Sequence, residues 1–385
     1  MAIRLALICD YQEEGWASMD LVGDMILEHL QAGHAAEVNA TRVRPRFRAR
    51  LGRLPTGRLR GAARNADRLL NRFRDYPRAI RKLRDLDVYH LVDHSYSQLV
   101  HALPPGRAVV TCHDLDTFRC LLDPRAEPRP RWFRAMAGRI LSGFQKAAAV
   151  ACISEATHRA LLAHSLFPAD RLHVIPYGIS DEYTPAPDPI QDDEADRLLG
   201  PPSPGAADLL HVGTTIPRKR IDVLLEVFNA VRKARPEARL IRVGGPFTPE
   251  QARQAKALGV EGAIRHLGML RRPTLAAIYR RASLVLQPSD AEGFGLPVAE
   301  AIACGAPVLA SDIPALREAG GPVASYRPVG DAPAWAEGAL ALLDTPPDAR
   351  RERREAGLAW SGRFRWSAHV ASLIPLYRAA AGGPQ

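Results

Sequence analysis

Two carboxylates, Glu292 and Glu300, are separated by seven residues in Asp290-Ala-Glu-Gly-Phe-Gly-Leu-Pro-Val-Ala-Glu300, and a glycine-rich turn followed by a proline fills the gap. The stretch before them, Ala282-Ser-Leu-Val-Leu-Gln287, is short and apolar and reads as a buried strand. Pro297 suits the first position of a helix, where its missing N–H has no partner to lose. The segment is therefore expected to run strand, loop, helix. Gly293 and Gly295 let backbone amides approach a ligand closely, and the helix start adds the positive end of a dipole. That combination suits a diphosphate. Glu292 lies beside it on the loop. Glu300, expected in the first helical turn, is suited to accept two hydroxyl hydrogen bonds from a ribose. The plainer alternative is a solvated acid at a helix start with ordinary turn glycines.

A second cluster lies in His211-Val-Gly-Thr-Thr-Ile-Pro-Arg-Lys-Arg-Ile-Asp222. Arg218 and Lys219 follow a strand and a turn at Gly213, which puts them at the same sheet edge as the Glu292 loop. Two cations there would neutralise phosphate charge as a leaving group departs. A basic pair at a helix start opposes the helix dipole, so a functional reason is preferred to a structural one. Arg220 is read as turning to solvent. In the first half, His113 ends the strand Val109–Cys112 and precedes Asp114-Leu-Asp116. It is expected at the carboxyl edge of the sheet, although most strand-end histidines are structural. Asp114-x-Asp116 spells a carboxylate pair of the kind that binds Mn²⁺ or Mg²⁺. Such strings are common, and Arg218 with Lys219 supplies the charge a metal would, so no metal is expected.

Short apolar strands alternate with helices along the whole chain, which indicates an α/β protein. In the first half the expected strands are Arg4–Cys9, Val88–Val92, Ala108–Cys112, Ala148–Cys152 and Leu172–Ile175. The expected helices include Met19–Ala32, Trp132–Gln145 and Glu155–His164. Thr184-Pro-Ala-Pro-Asp-Pro189, an acidic patch and Pro201-Pro-Ser-Pro-Gly205 mark a linker. The second half has strands at Leu209–Val212, Arg239–Val243, Ile264–His266, Leu284–Gln287 and Pro307–Ala310. Two doubly wound halves would leave a ligand cleft between their sheet edges. The dinucleotide fingerprint G-x-G-x-x-G is absent.

Glu292 to Glu300, the basic turn after His211, and the tail Phe364-Arg-Trp366 with Tyr377 together resemble the retaining, nucleotide-sugar-dependent glycosyltransferases of family 4. The similarity is dense from about Asp208 to Tyr377 and patchier before Thr184. The resemblance implies the GT-B fold, with two Rossmann-like, doubly wound domains facing across a cleft. It places an acceptor-side domain at 1–184, a linker at 185–207 and a donor-binding domain at 208–360, with a helix from about 361–385 packing back on the first domain. It implies that Arg218 and Lys219 hold the diphosphate, that Glu292 meets sugar hydroxyls and that Glu300 meets the ribose. Gly213, Gly293, Phe294, Gly295 and Leu296 line the donor site, and His266-Leu-Gly-Met-Leu270 resembles the loop around the nucleotide base. The family has a His-Asp pair where this chain has His113 and Asp114, and the histidine there is thought to contact the transferred sugar. The departing phosphate is held to deprotonate the acceptor, so no nucleophile and no cofactor is required beyond the donor substrate. Family members often carry adjacent glycines in the first loop. This chain has Gly15 alone, followed by Trp16-Ala17-Ser18, with Trp16 suited to stacking on an acceptor sugar.

Bulk properties bound the partners. At 385 residues with 46% hydrophobic content, the chain has ample core for two or three domains. No apolar run reaches the roughly 18 residues of a spanning helix, and the first ten residues read as a strand rather than a signal peptide. The five cysteines are scattered without metal-ligand spacing, which points to a reducing cytoplasm. The net charge of +10 is concentrated in arginines between Arg42 and Arg84. One reading is peripheral contact with an anionic membrane at its inner face; the other is an arginine-rich solvated surface. Nucleic acid is not expected, because no reading motif accompanies the charge. The functional expectation is transfer of a hexose, mannose or glucose, to a hydroxyl of a glycan, lipid or small molecule. The alternatives are a catalytically silent adaptor on the same fold, or a same-fold nucleotide-sugar epimerase or phosphorylase.

Overall fold

A computed structural model describes residues 1–51, 60–200 and 206–382. The chain divides into two compact units, Met1–Pro176 with Trp366–Gln385, and Tyr177–Arg365.

The first unit is built on β1 (Ile3–Ile8), β2 (Val38–Val43), β3 (Val88–Leu91), β4 (Ala108–Cys112), β5 (Ala149–Cys152) and β6 (Leu172–Val174). They form one parallel sheet in the order β2-β1-β3-β4-β5-β6. Every residue of β3, β4 and β5 is buried. Strands covered by helices on both faces read as unbroken apolar runs, which is why these three are plain in the sequence. β2 is an edge strand that buries only Val38, and the alternating arginines begin inside it at Arg42. From β1 the chain moves to β2 on one side and then to β3 on the other. The carboxyl ends of β1 and β3 therefore flank the switch point where such sheets leave a crevice.

The C-terminal helix Trp366–Ala380 belongs to this unit. The Tyr377 hydroxyl lies 2.7 Å from Nδ1 of His90 on β3, and Nε2 of His90 lies 2.8 Å from the Thr111 hydroxyl on β4. Nδ1 of His369 donates to the Pro176 carbonyl at 2.9 Å. Burial drives His90 down to about 3 and His369 to about 4, so both imidazoles are neutral hydrogen-bonding links. The helix begins at Trp366 rather than near 361. Phe364 itself sits in the second unit, where its carbonyl accepts from the Ile179 amide.

The second unit is built on β7 (Asp208–Val212), β8 (Arg239–Val243), β9 (Ile264–Leu267), β10 (Leu284–Gln287), β11 (Val308–Ser311) and β12 (Ser325–Arg327). All are parallel, in the order β12-β11-β10-β7-β8-β9. The helix Ile221–Ala234 lays Leu224, Val227, Phe228 and Val231 along one stripe, and these pack with Leu209, Leu240, Leu284 and Trp335. The strand order reverses between β7 and β10, so the loops after those two strands flank the switch point.

The expected linker at 185–207 contains the helix Pro189–Leu199. Asp188 caps it by accepting from the Gln191 amide at 3.2 Å, and a proline occupies the first turn. Its acidic face pairs Asp192 with Arg280 at 2.5 Å and Asp196 with Arg281 at 2.6 Å on the helix Arg272–Arg281. Pro201-Pro-Ser-Pro-Gly205 lies outside the described residues, as do Arg53 and Arg58 of the arginine-rich stretch. The five cysteines are free and buried. Among the described residues no helix is long and apolar enough to cross a membrane.

Candidate functional site

Arg218, Lys219 and Glu292 meet at the switch point of the second sheet. After β7 the chain turns through Gly213 into the short helical turn Pro217–Lys219; after β10 comes the loop that ends at Gly295. The two loops are tied by Asp290 N–H donating to the Arg218 carbonyl at 2.8 Å and by the Arg218 guanidinium donating to the Ala291 carbonyl at 2.9 Å. Lys219 Nζ donates to Glu292 Oε1 at 2.6 Å, and Arg218 Nη1 lies 3.5 Å from Oε2. The Ser289 hydroxyl and the Gln287 amide also donate to Oε1, at 2.7 and 2.8 Å. Burial pushes the Glu292 carboxyl up, but Lys219 and Arg218 outweigh it and hold the group below the usual range. Glu292 is thus an ionised carboxylate shared by two cations. A phosphate arriving here competes with it for Lys219. Arg220 does not turn to bulk solvent: at a φ of 47° it pairs with Asp222 at 2.8 Å and Asp290 at 3.0 Å.

The loops after β7 and β8 touch backbone to backbone. A Cβ on Gly244, whose φ is 129°, would fall 2.2 Å from the Gly213 carbonyl oxygen, so only glycine permits the approach. Beneath them lies Arg242, 1% exposed, which donates to the Gly213 carbonyl at 3.2 Å and to Nδ1 of His211. Among the described residues no carboxylate pairs with Arg242, and burial lowers it to about 10. Burial and Arg242 push His211 well below its ordinary value. An arginine has no lone pair to offer, so the His211 proton resides on Nε2. This buried cation behind the glycine loop, held by in-register pairing of His211 with Arg242, is not evident from either residue's place in the sequence.

Gly295, with a φ of 103°, caps the helix Leu296–Ala303; a Cβ there would meet the Leu316 side chain at 2.7 Å. Leu296 takes the first helical position and Pro297 the second, one place later than expected. Phe294 is buried, with its ring edge-on to Phe364 at 5.4 Å and Tyr177 at 6.1 Å, and so anchors the loop. Glu300 is the fifth helical residue, beyond the first turn where it was expected. It is only 7% exposed and accepts from the Tyr279 hydroxyl at 3.1 Å. Burial pushes Glu300 up to about 7, against the pull of hydrogen bonds from Tyr279 and Tyr183 and the charge of Arg272.

In the first unit, His113 and Asp114 follow β4. Nε2 of His113 donates to the Val92 carbonyl at 2.7 Å, and burial lowers its basicity, so the ring is neutral. Asp114 accepts from the Asp116 amide at 3.0 Å, which closes a local turn, and Asp116 lies 3.7 Å from Arg119. Among the described residues no group of three or more His, Cys, Asp or Glu is arranged to hold a metal ion. Gly15, with a φ of 76°, ends the turn Gln12–Glu14, and Trp16 beside it is half exposed. Ser154 caps the helix Glu155–Ala163 through the Thr157 amide at 3.0 Å. Close to His113 are groups the sequence reading did not single out. Asp10 follows β1, and Asp93 and His94 follow β3. Burial and the neighbouring Asp93 raise Asp10 well above the carboxylate range. For Asp93, burial is outweighed by His94 and His113, and its carboxyl is held at about 2. Arg72 lies over the Tyr96 ring at 4.1 Å and 3.5 Å from Glu14. The signal was available: Asp10 and Asp93 end strands just as His113 does.

Known families account for both units. The description "Glycosyltransferase Family 4" matches residues 21–183, and "Glycosyl transferases group 1" matches residues 206–345. O-antigen chain mannosyltransferase B of Escherichia coli is 30% identical over 276 residues, 71% of this chain and 70% of that protein. The chain belongs to glycosyltransferase family 4. A D-inositol 3-phosphate glycosyltransferase of Segniliparus rotundus is 36% identical over 183 residues, 45% of this chain. The matched stretch spans 40% of that relative's length and 52% to 57% of four others bearing the same name. Among solved structures, a sucrose-phosphate synthase of Thermosynechococcus elongatus superposes with a TM-score of 0.73 at 21% identity, covering 98% of both chains. Anabaena HepE in complex with UDP-glucose superposes with a TM-score of 0.72 at 15% identity, covering 97% of this chain and 98% of that one. With its two six-stranded parallel sheets, this family member has the GT-B fold.

Proposed function

We propose that the protein is a retaining hexosyltransferase that moves a hexose from a nucleoside diphosphate sugar to a hydroxyl of a glycan, lipid or small molecule. The observation that carries this reading is the Arg218, Lys219 and Glu292 cluster at the β7–β10 switch point, with Glu300 on the following helix. In this reading the diphosphate takes Arg218 and Lys219, and Glu292, released from Lys219, accepts from sugar hydroxyls. The amides of Gly293, Gly295 and Leu296 face the phosphates, Gly213 leaves room for them, and Glu300 accepts from the ribose. The cations stabilise the charge that grows on the departing phosphate, which then takes the acceptor's proton on the same face of the sugar. His113 lies against the transferred sugar, and Gly15, Trp16 and Asp114 belong to the acceptor side. The printed names of the relatives, a mannosyltransferase and an inositol-phosphate glycosyltransferase, and the neighbour solved with UDP-glucose support a hexosyl donor. With two cations on the diphosphate, the reaction is proposed to need no metal ion.

Nucleoside diphosphate release from GDP-, UDP- and ADP-hexoses, with and without EDTA, tests this. One donor is expected to turn over at a rate indifferent to EDTA, and His113→Ala to slow it by about tenfold or more, the loss of one contact to the transferred sugar. Turnover of no donor would favour a silent adaptor, and loss of turnover in EDTA would overturn metal independence.

Peripheral contact with an anionic membrane through the Arg42–Arg84 segment is also proposed, on a narrower face than the sequence suggests. Arg42, Arg44, Arg50, Arg68 and Arg72 are paired with Asp24, Asp20, Asp75 and Glu14 inside the unit. Arg46, Arg74, Arg78, Arg81 and Arg84 are exposed and have no such ion pair among the described residues. Co-sedimentation with anionic vesicles is expected at low salt and to be lost near 0.5 M salt, where the Debye length falls to about 4 Å. Equal sedimentation with neutral and anionic vesicles would remove the contact.

A further inference from the structure

Glu300 is held by Tyr279, and a second tyrosine from a separate element, Tyr183, packs beside that ring. Tyr279 is fully buried on the helix Arg272–Arg281, and its hydroxyl donates to Glu300 Oε2 at 3.1 Å. Tyr183, 7% exposed, comes from the turn that opens at Ser180; its ring stands edge-on to Tyr279 at 5.9 Å, and its side chain adds to the pull that lowers the Glu300 carboxyl. The surroundings of the pair are otherwise apolar or tied down. Arg280 and Arg281, next to Tyr279, are fixed by Asp192 and Asp196, and Arg272 at the head of the same helix meets Ser180 and Glu182. Cys304, the residue that caps the end of the Glu300 helix, is a thiol that burial pushes out of the titrating range. Phenylalanine would fill both ring sites equally well. The hydroxyls matter because a buried O–H needs an acceptor and a buried carboxyl needs donors.

We propose that Tyr279, with Tyr183 packed against its ring, is a positioning residue for donor binding: the Tyr279 hydroxyl holds the Glu300 carboxyl as an acceptor in the orientation that takes the ribose hydroxyls. This rests on the reading of Glu300 as the ribose ligand. A tyrosine hydroxyl donates to the carboxylate more strongly than to the protonated acid, so each one favours the ionised form that a ribose diol also requires. With Glu300 near 7 in the free protein, donor affinity depends on pH around neutrality. The groups that face the carboxyl are Tyr279, Tyr183 and Arg272, and all three favour ionisation. Removing one tyrosine hydroxyl leaves burial less opposed and moves the titration upward.

The test is calorimetric binding of UDP, GDP and ADP to the full chain between pH 6 and 9, for wild type, Tyr279→Phe, Tyr183→Phe and Glu300→Gln. Wild-type affinity for the preferred nucleotide is expected to rise with pH through about 7. Tyr279→Phe is expected to weaken binding about tenfold at pH 7, with less loss at pH 9, because a hydrogen bond to a charged group is at stake. Tyr183→Phe should shift the profile in the same direction. In turnover, KM for the donor should rise while kcat at saturating donor stays within about twofold. A folded Tyr279→Phe protein with unchanged affinity and an unchanged pH profile overturns the inference. If Glu300→Gln also binds as wild type does, the ribose assignment has failed as well; if Glu300→Gln alone weakens binding, only the tyrosine role has.

Discussion

Lys219→Ala is expected to lower kcat/KM for donor turnover by about 10³-fold, because it removes a cation from the place where leaving-group charge grows in a buried site. Lys219 is 9% exposed and has Glu292 as its present partner at 2.6 Å. The same substitution leaves Glu292 buried with only Arg218, at 3.5 Å, for charge compensation. Breaking one side of a buried ion pair costs about 3 kcal/mol or more, so the single variant should also melt earlier. Activity loss and instability are separable. The double substitution Lys219→Met, Glu292→Gln removes both charges at similar volume, and Gln287 and Ser289 still have an oxygen at position 292 to donate to. The double variant should recover most of the melting temperature and none of the activity. Recovery of turnover along with stability would show that Lys219 serves the fold and not the phosphate.

Glu300→Gln is expected to strengthen the protein at alkaline pH while weakening its grip on the nucleotide. The Glu300 carboxyl stands at about 7 in the folded chain against an ordinary 4.5. The native state therefore holds this proton more tightly than the unfolded state does. Stability is undiminished below pH 4.5, falls as pH rises through the interval, and carries the full cost above 7, on the order of 3 kcal/mol. Glutamine cannot ionise, so the variant should outlast wild type in thermal melts at pH 8.5 and match it at pH 5. Nucleotide affinity should drop about tenfold or more at pH 8.5, since a neutral amide replaces a charged acceptor. Equal melting at both pH values would mean that Glu300 is not buried against its charge as described.

Elements covered on both faces were the most legible. β4 and β10 fall on the residues expected because a fully buried strand is a mostly apolar run between turn residues, and β8 does so although arginines stand at two of its five positions. Of the four edge strands, β6 and β9 were expected and β2 and β12 escaped notice. β2 buries one residue of six and carries Arg42, and β12 is three half-buried residues. The helix Pro189–Leu199 was hidden by prolines on both sides, although Asp188 before Pro189 is a helix-start signal. Within the site, Arg218, Lys219 and Glu292 were recognisable by type and local spacing. Their ion pair was not, since Lys219 and Glu292 are 73 positions apart and only the β7–β10 adjacency joins them. The shift of Glu300 past the first turn turns on Leu296 starting the helix ahead of Pro297. Arg242 looked like an ordinary strand residue, because its partner His211 is fixed by register between strands.

Metal-free diphosphate binding at Lys219 and Glu292 is tested most directly by calorimetric titration of the full chain with UDP, GDP and ADP in EDTA, at pH 8 and at two salt concentrations. One nucleotide is expected to bind without metal, more weakly at high salt, and Lys219→Met, Glu292→Gln is expected to lose that binding while remaining folded. Binding of equal strength in the double variant, or none in the wild type, would contradict that assignment.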